Sequence, residues 1–330
     1  MPFSASTIQI QATGGPNRLE VRTVEIPDPG PGEAIVEVHA AGVNFIDTYH
    51  RSGLYPVDLP FTPGSEGSGV VVAVGGPVED GPSASLAVGD RVAWVGVGAS
   101  YATHVTGSVE SFLPVPNDLD LEVAAALPLQ GMTAHYLVTD THPLQPGETC
   151  LIHAAAGGTG RLLVQMAKQR GAVVVATAGS AEKVELARSA GADHVIDYVE
   201  RDLIEAVEEA VGPDAINAVY DGVGAATFDA GIHLLAARGT MATFGNASGA
   251  VPPVSPLVLM PKSLFLTRPT LFSHIRTPDE RLARWRELVD WVQTGKLDVR
   301  IGHTFTLEHA ADAHRALEGR STTGKILLTN

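Results

Sequence analysis

Cysteine is nearly absent from this 330-residue chain, with Cys150 the single example. One thiol allows no disulfide within the chain and no multi-cysteine zinc site. Positive charge is also scarce: 22 Lys and Arg stand against 37 Asp and Glu, a formal net charge of −15. That sign opposes general attraction to nucleic acid or anionic lipid, and leaves room only for a local basic pocket that could receive a phosphate. Long apolar runs are missing too. The longest uncharged stretches, 92–109, 123–139 and 239–261, are interrupted by Gly, Ser, Thr, Pro or Gln, whereas a spanning helix needs ~20 mostly apolar residues. Residues 1–17 have neither the basic cluster nor the apolar block of a signal peptide. These absences point to a protein of a reducing compartment, expected in the cytoplasm, with no membrane partner. There is no internal repeat and no low-complexity segment.

Several catalytic devices are missing as well. No H-E-x-x-H occurs, and His303, His309 and His314 are spaced by six and five, which does not stack them on one helix face. None of the six tyrosines has a lysine four residues on, so the Tyr-x-x-x-Lys pair of short-chain reductases is absent. There is no G-x-S-x-G nucleophile elbow. A reductase built from this chain is left with metal-free hydride transfer to an acceptor that is already electrophilic, and no metal site is expected.

What is present is a large apolar fraction, 45%, enough for a sizeable core and roughly two domains. Glycine (35) and proline (22) together exceed the ~12% of an average chain, so many turns are expected. Residues 1–120 read as short strands between turns. Residues 34–40 alternate apolar and polar, 69–74 are continuously apolar, and further strands are read at 92–95, 101–106 and 111–114. Helical character is confined to the neighbourhood of 44–51.

The style changes near Leu121, where helix-like segments begin. Strand and helix patterns then alternate: strands at 149–154, 173–177, 194–197, 218–221, 240–244 and 263–267, with helices at 159–170, 180–190, 201–211 and from 222 to 237. Ser180 reads as an N-cap, and Gly171 and Gly191 as helix ends. This alternation predicts a doubly wound parallel sheet with helices on both faces. Near the end, Thr277-Pro278-Asp279-Glu280 is a capping box ahead of Leu282, Trp285, Leu288, Val289 and Val292 at helical spacing, a helix closed by Gly295.

Between the first strand and helix of the alternating region lies Ala154-Ala155-Ala156-Gly157-Gly158-Thr159-Gly160. Gly157 would let the backbone approach a pyrophosphate, Gly160 would let the helix pack on the strand, and the helix N-terminus would stabilise the phosphate charge. At the end of the second strand no carboxylate stands ready for the ribose hydroxyls; the first charges are Glu182 and Lys183. The missing acid removes repulsion of a 2′-phosphate and Lys183 can supply positive charge, with Tyr198 ending the next strand. The expected cofactor is therefore NADP(H) rather than NAD. The alternative reading of Lys183 is a solvated helix residue.

The sequence resembles the zinc-independent quinone oxidoreductase (zeta-crystallin-like) branch of the medium-chain dehydrogenase/reductase superfamily. The resemblance is carried by Ala41-Gly42-Val43-Asn44-Phe45-Ile46-Asp47-Thr48-Tyr49, Pro63-Gly64-Ser65-Glu66-Gly67-Ser68-Gly69, Gly89-Asp90-Arg91-Val92, the glycine turn, Phe244-Gly245-Asn246, Thr267-Arg268-Pro269 and Thr322-Thr323-Gly324-Lys325, in order along nearly the whole chain. It implies an α/β protein: a Rossmann domain set into a GroES-like β-rich catalytic domain, with a cleft between them. The expected division is 1–125 and 269–330 for the catalytic domain and 126–268 for the NADP-binding domain. It implies NADPH as hydride donor, a quinone or similar conjugated carbonyl as acceptor, and a homodimer. Where zinc relatives have a cysteine before a helix, this chain has Asn44; where they have Gly-His-Glu, it has Gly64-Ser65-Glu66.

By motif position, Asn44 and Tyr49 are implied beside the nicotinamide as candidate catalytic residues, with Thr133 and Tyr136 bordering the same pocket. Gly157, Gly158 and Thr159 are implied at the pyrophosphate, and Gly179, Lys183 and Tyr198 around the adenosine phosphate. Phe244 and Arg268 line the nicotinamide end, and Thr323 and Gly324 come from the C-terminal loop. Plainer readings stand beside these: Asn44 as a helix cap, Tyr49 and Phe244 as core, Asp47 and Glu66 as structural, Arg268 as an interdomain ion pair. Gly222 stands where relatives often have Ser, and Arg161, where relatives place an apolar residue, is read as exposed on the first helical turn. The rivals are an NADPH-dependent enone or 2-alkenal double-bond reductase, and a nucleotide-binding structural or RNA-binding protein without turnover.

Overall fold

In the computed structural model of the protein, residues 3–76 and 86–330 are described. Residues 77–85, within the expected first domain, lie outside them. The chain divides into two compact units: Met1–Leu129 with Arg276–Gln293 and Val299–Asn330, and Gln130–Ile275 with Thr294–Asp298.

The first unit opens with β1 (Phe3–Gln9) and β2 (Glu20–Ile26), an antiparallel pair that the sequence reading did not anticipate. Then come β3 (Glu33–Val43), α1 (Phe45–Ser52), β4 (Glu66–Val74), β5 (Arg91–Val95), β6 (His104–Ser108), β7 (Phe112–Pro114) and α2 (Leu121–Ala126). Along β3, Val36, Val38 and Ala40 are buried and Glu37 and His39 exposed, the alternation expected of a half-buried strand. Helix α1 starts at Asn44, whose backbone N–H donates to the Asp47 carboxylate at 2.8 Å, and stops at Gly53, where φ is +85°.

The second unit begins in α3 (Pro128–Tyr136) and then alternates: β8 (Thr149–Ile152), α4 (Gly158–Gln169), β9 (Val173–Ala178), α5 (Ala181–Ser189), β10 (His194–Asp197), α6 (Leu203–Val211), β11 (Ile216–Asp221), α7 (Phe228–Leu234), β12 (Leu235–Thr243) and β13 (Phe265–Thr267). All pairings are parallel, in the order β10-β9-β8-β11-β12-β13. This is the Rossmann order, in which ligands bind beyond the carboxyl ends of the strands, near the point where the order reverses. Leu151, Val175, Val219 and Met241 form its core with Phe228 and Ile232 of α7. Each such side chain contributes about 1.5–3 kcal/mol by leaving water.

The expected helix from 222 to 237 is shorter than read. It ends at Leu234, because Leu235 is already extended and pairs with Ile216. Sheet pairing overrides the helical preference of Leu235-Ala236-Ala237.

The chain then returns to the first unit with α8 (Pro278–Gln293), β14 (Ile301–Thr306), α9 (Ala310–Glu318) and β15 (Lys325–Thr329). The capping box at Thr277 forms in both directions, at 3.1 and 3.2 Å. The sheet of this unit runs β14-β15-β3-β4-β5-β7, with β6 also on β3. Strands from opposite ends of the chain are therefore neighbours, since Ile326 of β15 pairs with Val43 of β3. Val36, Val92, Trp94, Tyr101 and Leu328 belong to its core. Among the described residues no helix is long and apolar enough to cross a membrane.

Candidate functional site

In the second unit, β8 ends in a turn that enters α4. Ala154 takes φ +53°, a left-handed conformation that costs a non-glycine residue roughly 1–2 kcal/mol. Gly157 is the N-cap of α4. A Cβ on Gly160 would fall well inside contact distance of the Ala154 carbonyl oxygen, and one on Gly158 would meet the Gln130 side chain. The helix can approach the strand this closely only with glycine there. The N–H groups of a first helical turn have no partner within the helix and point outward with the positive end of the dipole. The cradle therefore fits an anionic pyrophosphate at Gly157, Gly158 and Thr159.

At the ends of β9 and β10 the structure brings Gly179 and Tyr198 together. The Tyr198 N–H donates to the Ala178 carbonyl at 3.2 Å, and a Cβ on Gly179 would lie 2.6 Å from the Tyr198 hydroxyl oxygen. Ser180 caps α5 by accepting from the Lys183 N–H at 3.3 Å, which sets Lys183 on the first turn of the helix leaving β9. Gly179, Lys183 and Tyr198 thus share one corner.

Thr133 and Tyr136 lie on α3 and are buried. The Tyr136 ring stacks on His274 at 4.2 Å and 5°, and His274 is held in turn by Asp140 at 3.2 Å. Phe244 follows β12, with its N–H on the Asp221 carbonyl at 2.8 Å. A Cβ on Gly222 would stand 3.0 Å from the Phe244 ring, so the absence of a serine there makes room for that ring. Arg268 donates to the Thr243 and Gly245 carbonyls at 3.0 and 2.9 Å, holding the turn after β12 from within its own unit.

Arg161 corrects an expectation. It is buried, 8% exposed, and donates to the Leu186 carbonyl, the Ser189 hydroxyl and the Asp298 carboxylate at 2.9, 3.1 and 2.6 Å. The negative end of the α5 dipole and the Asp298 carboxylate draw a cation to that position.

The first unit carries a different kind of site. Asn44 is buried and its amide is fully engaged: Nδ2 donates to Glu66 Oε1 at 2.7 Å, and Oδ1 accepts from Lys325 Nζ at 2.9 Å. Lys325, 1% exposed, forms an ion pair with Glu66, whose second oxygen accepts from the Leu129 N–H at 2.7 Å. Beside this triad, Asp47 accepts from the Tyr101 hydroxyl at 3.0 Å and the Gly64 N–H at 3.3 Å. Tyr101 contacts His314 Nε2 at 3.1 Å, and Arg51 contacts His314 Nδ1 at 3.2 Å while gripping both Glu318 oxygens. Arginine only donates, so Nδ1 accepts and Nε2 carries the proton. Burial pushes Asp47 up to about 6, against the pull of its hydrogen bonds, and pushes His314 down to about 3 with help from Arg51. Tyr49 lies on α1 with its ring edge-on to Tyr55 at 5.2 Å. Thr323 is buried just before Gly324, where φ is +63°.

Lys325 was legible only as part of a motif, and the Asp47–Tyr101–His314–Arg51 set was not legible at all. Arg51 and His314 alone are 263 residues apart, and the set shares no local pattern.

Two family models match the chain: the alcohol dehydrogenase GroES-like domain over residues 30–147 and the zinc-binding dehydrogenase domain over 158–294. The chain is 43% identical to a quinone oxidoreductase of Pseudomonas aeruginosa, over 98% of this chain and 99% of the relative. It is 38% identical to a 2-haloacrylate reductase of Burkholderia sp, covering 97% of each. The structure of Escherichia coli quinone oxidoreductase complexed with NADPH superposes with a TM-score of 0.94 at 38% identity, over 98% of this chain and 100% of that one.

Proposed function

Because the chain belongs to the quinone oxidoreductase branch of the medium-chain dehydrogenase/reductase superfamily, we propose that it is an NADPH-dependent quinone oxidoreductase. The observation that carries this reading is the glycine cradle at α4 joined to the corner of Lys183 and Tyr198 beyond β9, a strand that itself ends without a carboxylate. Bound NADPH supplies the hydride, and one further proton completes a hydroquinone. Gly157, Gly158 and Thr159 hold the pyrophosphate; Gly179, Lys183 and Tyr198 hold the 2′-phosphate. Thr133 and Phe244 border the nicotinamide, with Tyr136 supporting from its stack on His274 and Arg268 through the turn after β12. Thr323 and Gly324 complete the cofactor contacts. Tyr49 polarises the acceptor carbonyl. Asn44, whose amide is committed to Glu66 and Lys325, orients rather than donates.

The chemistry is zinc-independent. Asn44 and Ser65 stand at two positions where zinc relatives place ligands, and the Lys325 ammonium already sits on both Asn44 and Glu66, so a second cation there would meet like charge. Residues 1–125 and 269–330 form the catalytic domain and 126–268 the nucleotide domain; the two compact units support this in outline, with boundaries after Leu129 and Ile275 and with Thr294–Asp298 grouped in the second unit. A homodimer is supported by β13, the last strand of its sheet, where Phe265 is 62% and Leu266 36% exposed. A cytoplasmic location is supported by the lone buried cysteine, whose thiol burial pushes up to about 12.

The test is an acceptor panel with purified protein and NADPH: 1,4-benzoquinone, naphthoquinones, enones and alkenals. Turnover highest on quinones is expected, with Tyr49→Phe lowering kcat by about tenfold or more. The likeness to a 2-haloacrylate reductase favours a second reading, reduction of an activated C=C bond, which the same panel reveals if enones or alkenals outrun quinones. No NADPH oxidation with any of them refutes the assignment.

A further inference from the structure

Helix α1 carries Tyr49, and its placement rests on four buried side chains that the proposed function does not use: Asp47, Arg51, Tyr101 and His314. Its 8 residues make barely two turns, too few to hold a helix in water without tertiary support. Asp47 stands in the first turn and Arg51, four residues on, in the last, so both leave one face. Tyr49 is two residues from each and leaves the opposite face, where its ring meets Phe45 at 6.2 Å and Tyr55 at 5.2 Å.

Donors and acceptors on the first face form a closed ring. Arg51 donates to His314 Nδ1 at 3.2 Å, the His314 Nε2–H donates to the Tyr101 hydroxyl oxygen at 3.1 Å, and the Tyr101 hydroxyl donates to Asp47 Oδ2 at 3.0 Å. Asp47 and Arg51 are about a turn apart on α1, so the ring closes on the helix itself. Both ends are tied further. Asp47 also accepts from the Asn44 and Gly64 N–H groups at 2.8 and 3.3 Å. Arg51 donates to the Gly14 carbonyl at 3.0 Å and to the two Glu318 oxygens at 3.0 and 2.6 Å, and its own carbonyl accepts from the Gly14 N–H at 2.9 Å. Segments far apart in the chain, at Gly14, Gly64, Tyr101 and His314 to Glu318, thus grip one short helix.

Apolar packing would seat this helix without burying charge, and a hydrophobic contact of similar volume is often as stabilising as a buried ion pair or more so. What hydrogen bonds add is direction, because each is strong only within a narrow range of distance and angle. Bonds at both ends of the face fix the rotation of α1 about its axis and its slide along it. A misplacement of about 1 Å at a reacting group can cost about a hundredfold in rate. We propose that Asp47, Arg51, Tyr101 and His314 are positioning residues that hold Tyr49 at the angle and depth from which it polarises the acceptor carbonyl. The inference rests on the reading of Tyr49 as that group. None of the four is a catalytic residue.

The test is steady-state kinetics of the full chain on 1,4-benzoquinone with NADPH, with Tyr101→Phe and Glu318→Gln each made in the wild-type and Tyr49→Phe backgrounds. Tyr101→Phe opens the ring at its middle, and Glu318→Gln loosens Arg51 at the partly exposed end of the clamp. Tyr101→Phe should lower kcat about fivefold and Glu318→Gln about threefold, with KM for NADPH unchanged. Both losses should vanish in the Tyr49→Phe background, because a misplaced ring without its hydroxyl has nothing left to lose. A general defect of the fold would lower kcat equally in both backgrounds, and that result overturns the proposal. So does wild-type kcat in both variants. Should Tyr101→Phe fail to fold, Glu318→Gln decides the comparison alone. Tyr49→Phe with wild-type kcat refutes the role of Tyr49, and the proposal with it. A wild type without quinone turnover refutes the functional reading instead; the placement of Tyr49 is then read from its ring NMR signals, which should shift in Glu318→Gln. Ring signals that do not move overturn the proposal.

Discussion

The two units build their sites from opposite materials. In the second, the candidate site is mostly backbone: a glycine turn, a helix N-terminus and a strand end, drawn from residues 154–160 and 179–198, with the Lys183 and Tyr198 side chains beside them. In the first, it is side chains: Asn44, Glu66 and Lys325 in one set, where Lys325 reaches Glu66 and Asn44 across 259 and 281 residues, and Asp47, Tyr101, His314 and Arg51 in another. A site made of backbone is broken by adding an atom. A site made of buried charge is broken by removing a partner. The two therefore fail through different physics, and substitution separates them.

The largest effect is expected from Lys325→Met. It leaves the Glu66 carboxylate buried and uncompensated, and should cost about 3–5 kcal/mol in denaturant unfolding. Replacing both partners, Lys325→Met with Glu66→Leu, should recover most of that loss, because the penalty belongs to the unpaired charge. If the double variant is as unstable as the single, packing rather than charge governs the triad.

Gly160→Ala should cost less, about 1–3 kcal/mol, by forcing a Cβ onto the Ala154 carbonyl. It should also weaken dinucleotide binding, whereas the Lys325 variants, where folded, should bind dinucleotide normally. Loss of binding in the Lys325 variants and not in Gly160→Ala would reverse the comparison.

The third prediction concerns pH. His314 is held at about 3, below the ordinary 6.5, so the stability of its neutral buried form is present above 6.5 and lost as pH falls toward 3. Asp47 is raised from 3.8 to about 6, so its charged form is a burden above 6 that acid relieves. The two oppose each other, and the histidine, with the larger displacement, dominates. Between pH 6.5 and 4.5 His314→Gln should remove roughly 2–3 kcal/mol of acid destabilisation, while Asp47→Asn should steepen it. Equal pH slopes in wild type and both variants would show that neither group governs the unit's response to acid.

The same contrast explains what could be read in advance. The alternating strands and helices, the Ser180 and Thr277 caps and the glycine turn are all local, encoded within a few residues of where they act. The pairing of β1 with β2 escaped because β2, although flanked by Gly14-Gly15-Pro16 and Pro27-Asp28-Pro29-Gly30, is mostly exposed and carries Glu20, Arg22 and Glu25, so it shows no apolar strand pattern. Arg161 was misread because the Leu186 carbonyl, the Ser189 hydroxyl and the Asp298 carboxylate that hold it come from elsewhere in the chain. Asn44 shows both limits at once. Its role as the residue before a helix was legible, but the Lys325 that occupies its carbonyl lies 281 residues away.

The smallest expected effect bears most directly on the central claim, that the second unit selects NADPH for quinone reduction. The measurement is kcat/KM for NADPH and for NADH at fixed 1,4-benzoquinone, in wild type and Lys183→Ala. Wild type should oxidise NADPH in preference to NADH by about tenfold or more, and the variant should lose that preference by slowing with NADPH alone. Oxidation of neither nucleotide above the uncatalysed rate, or a preference that survives the loss of Lys183, would contradict the account.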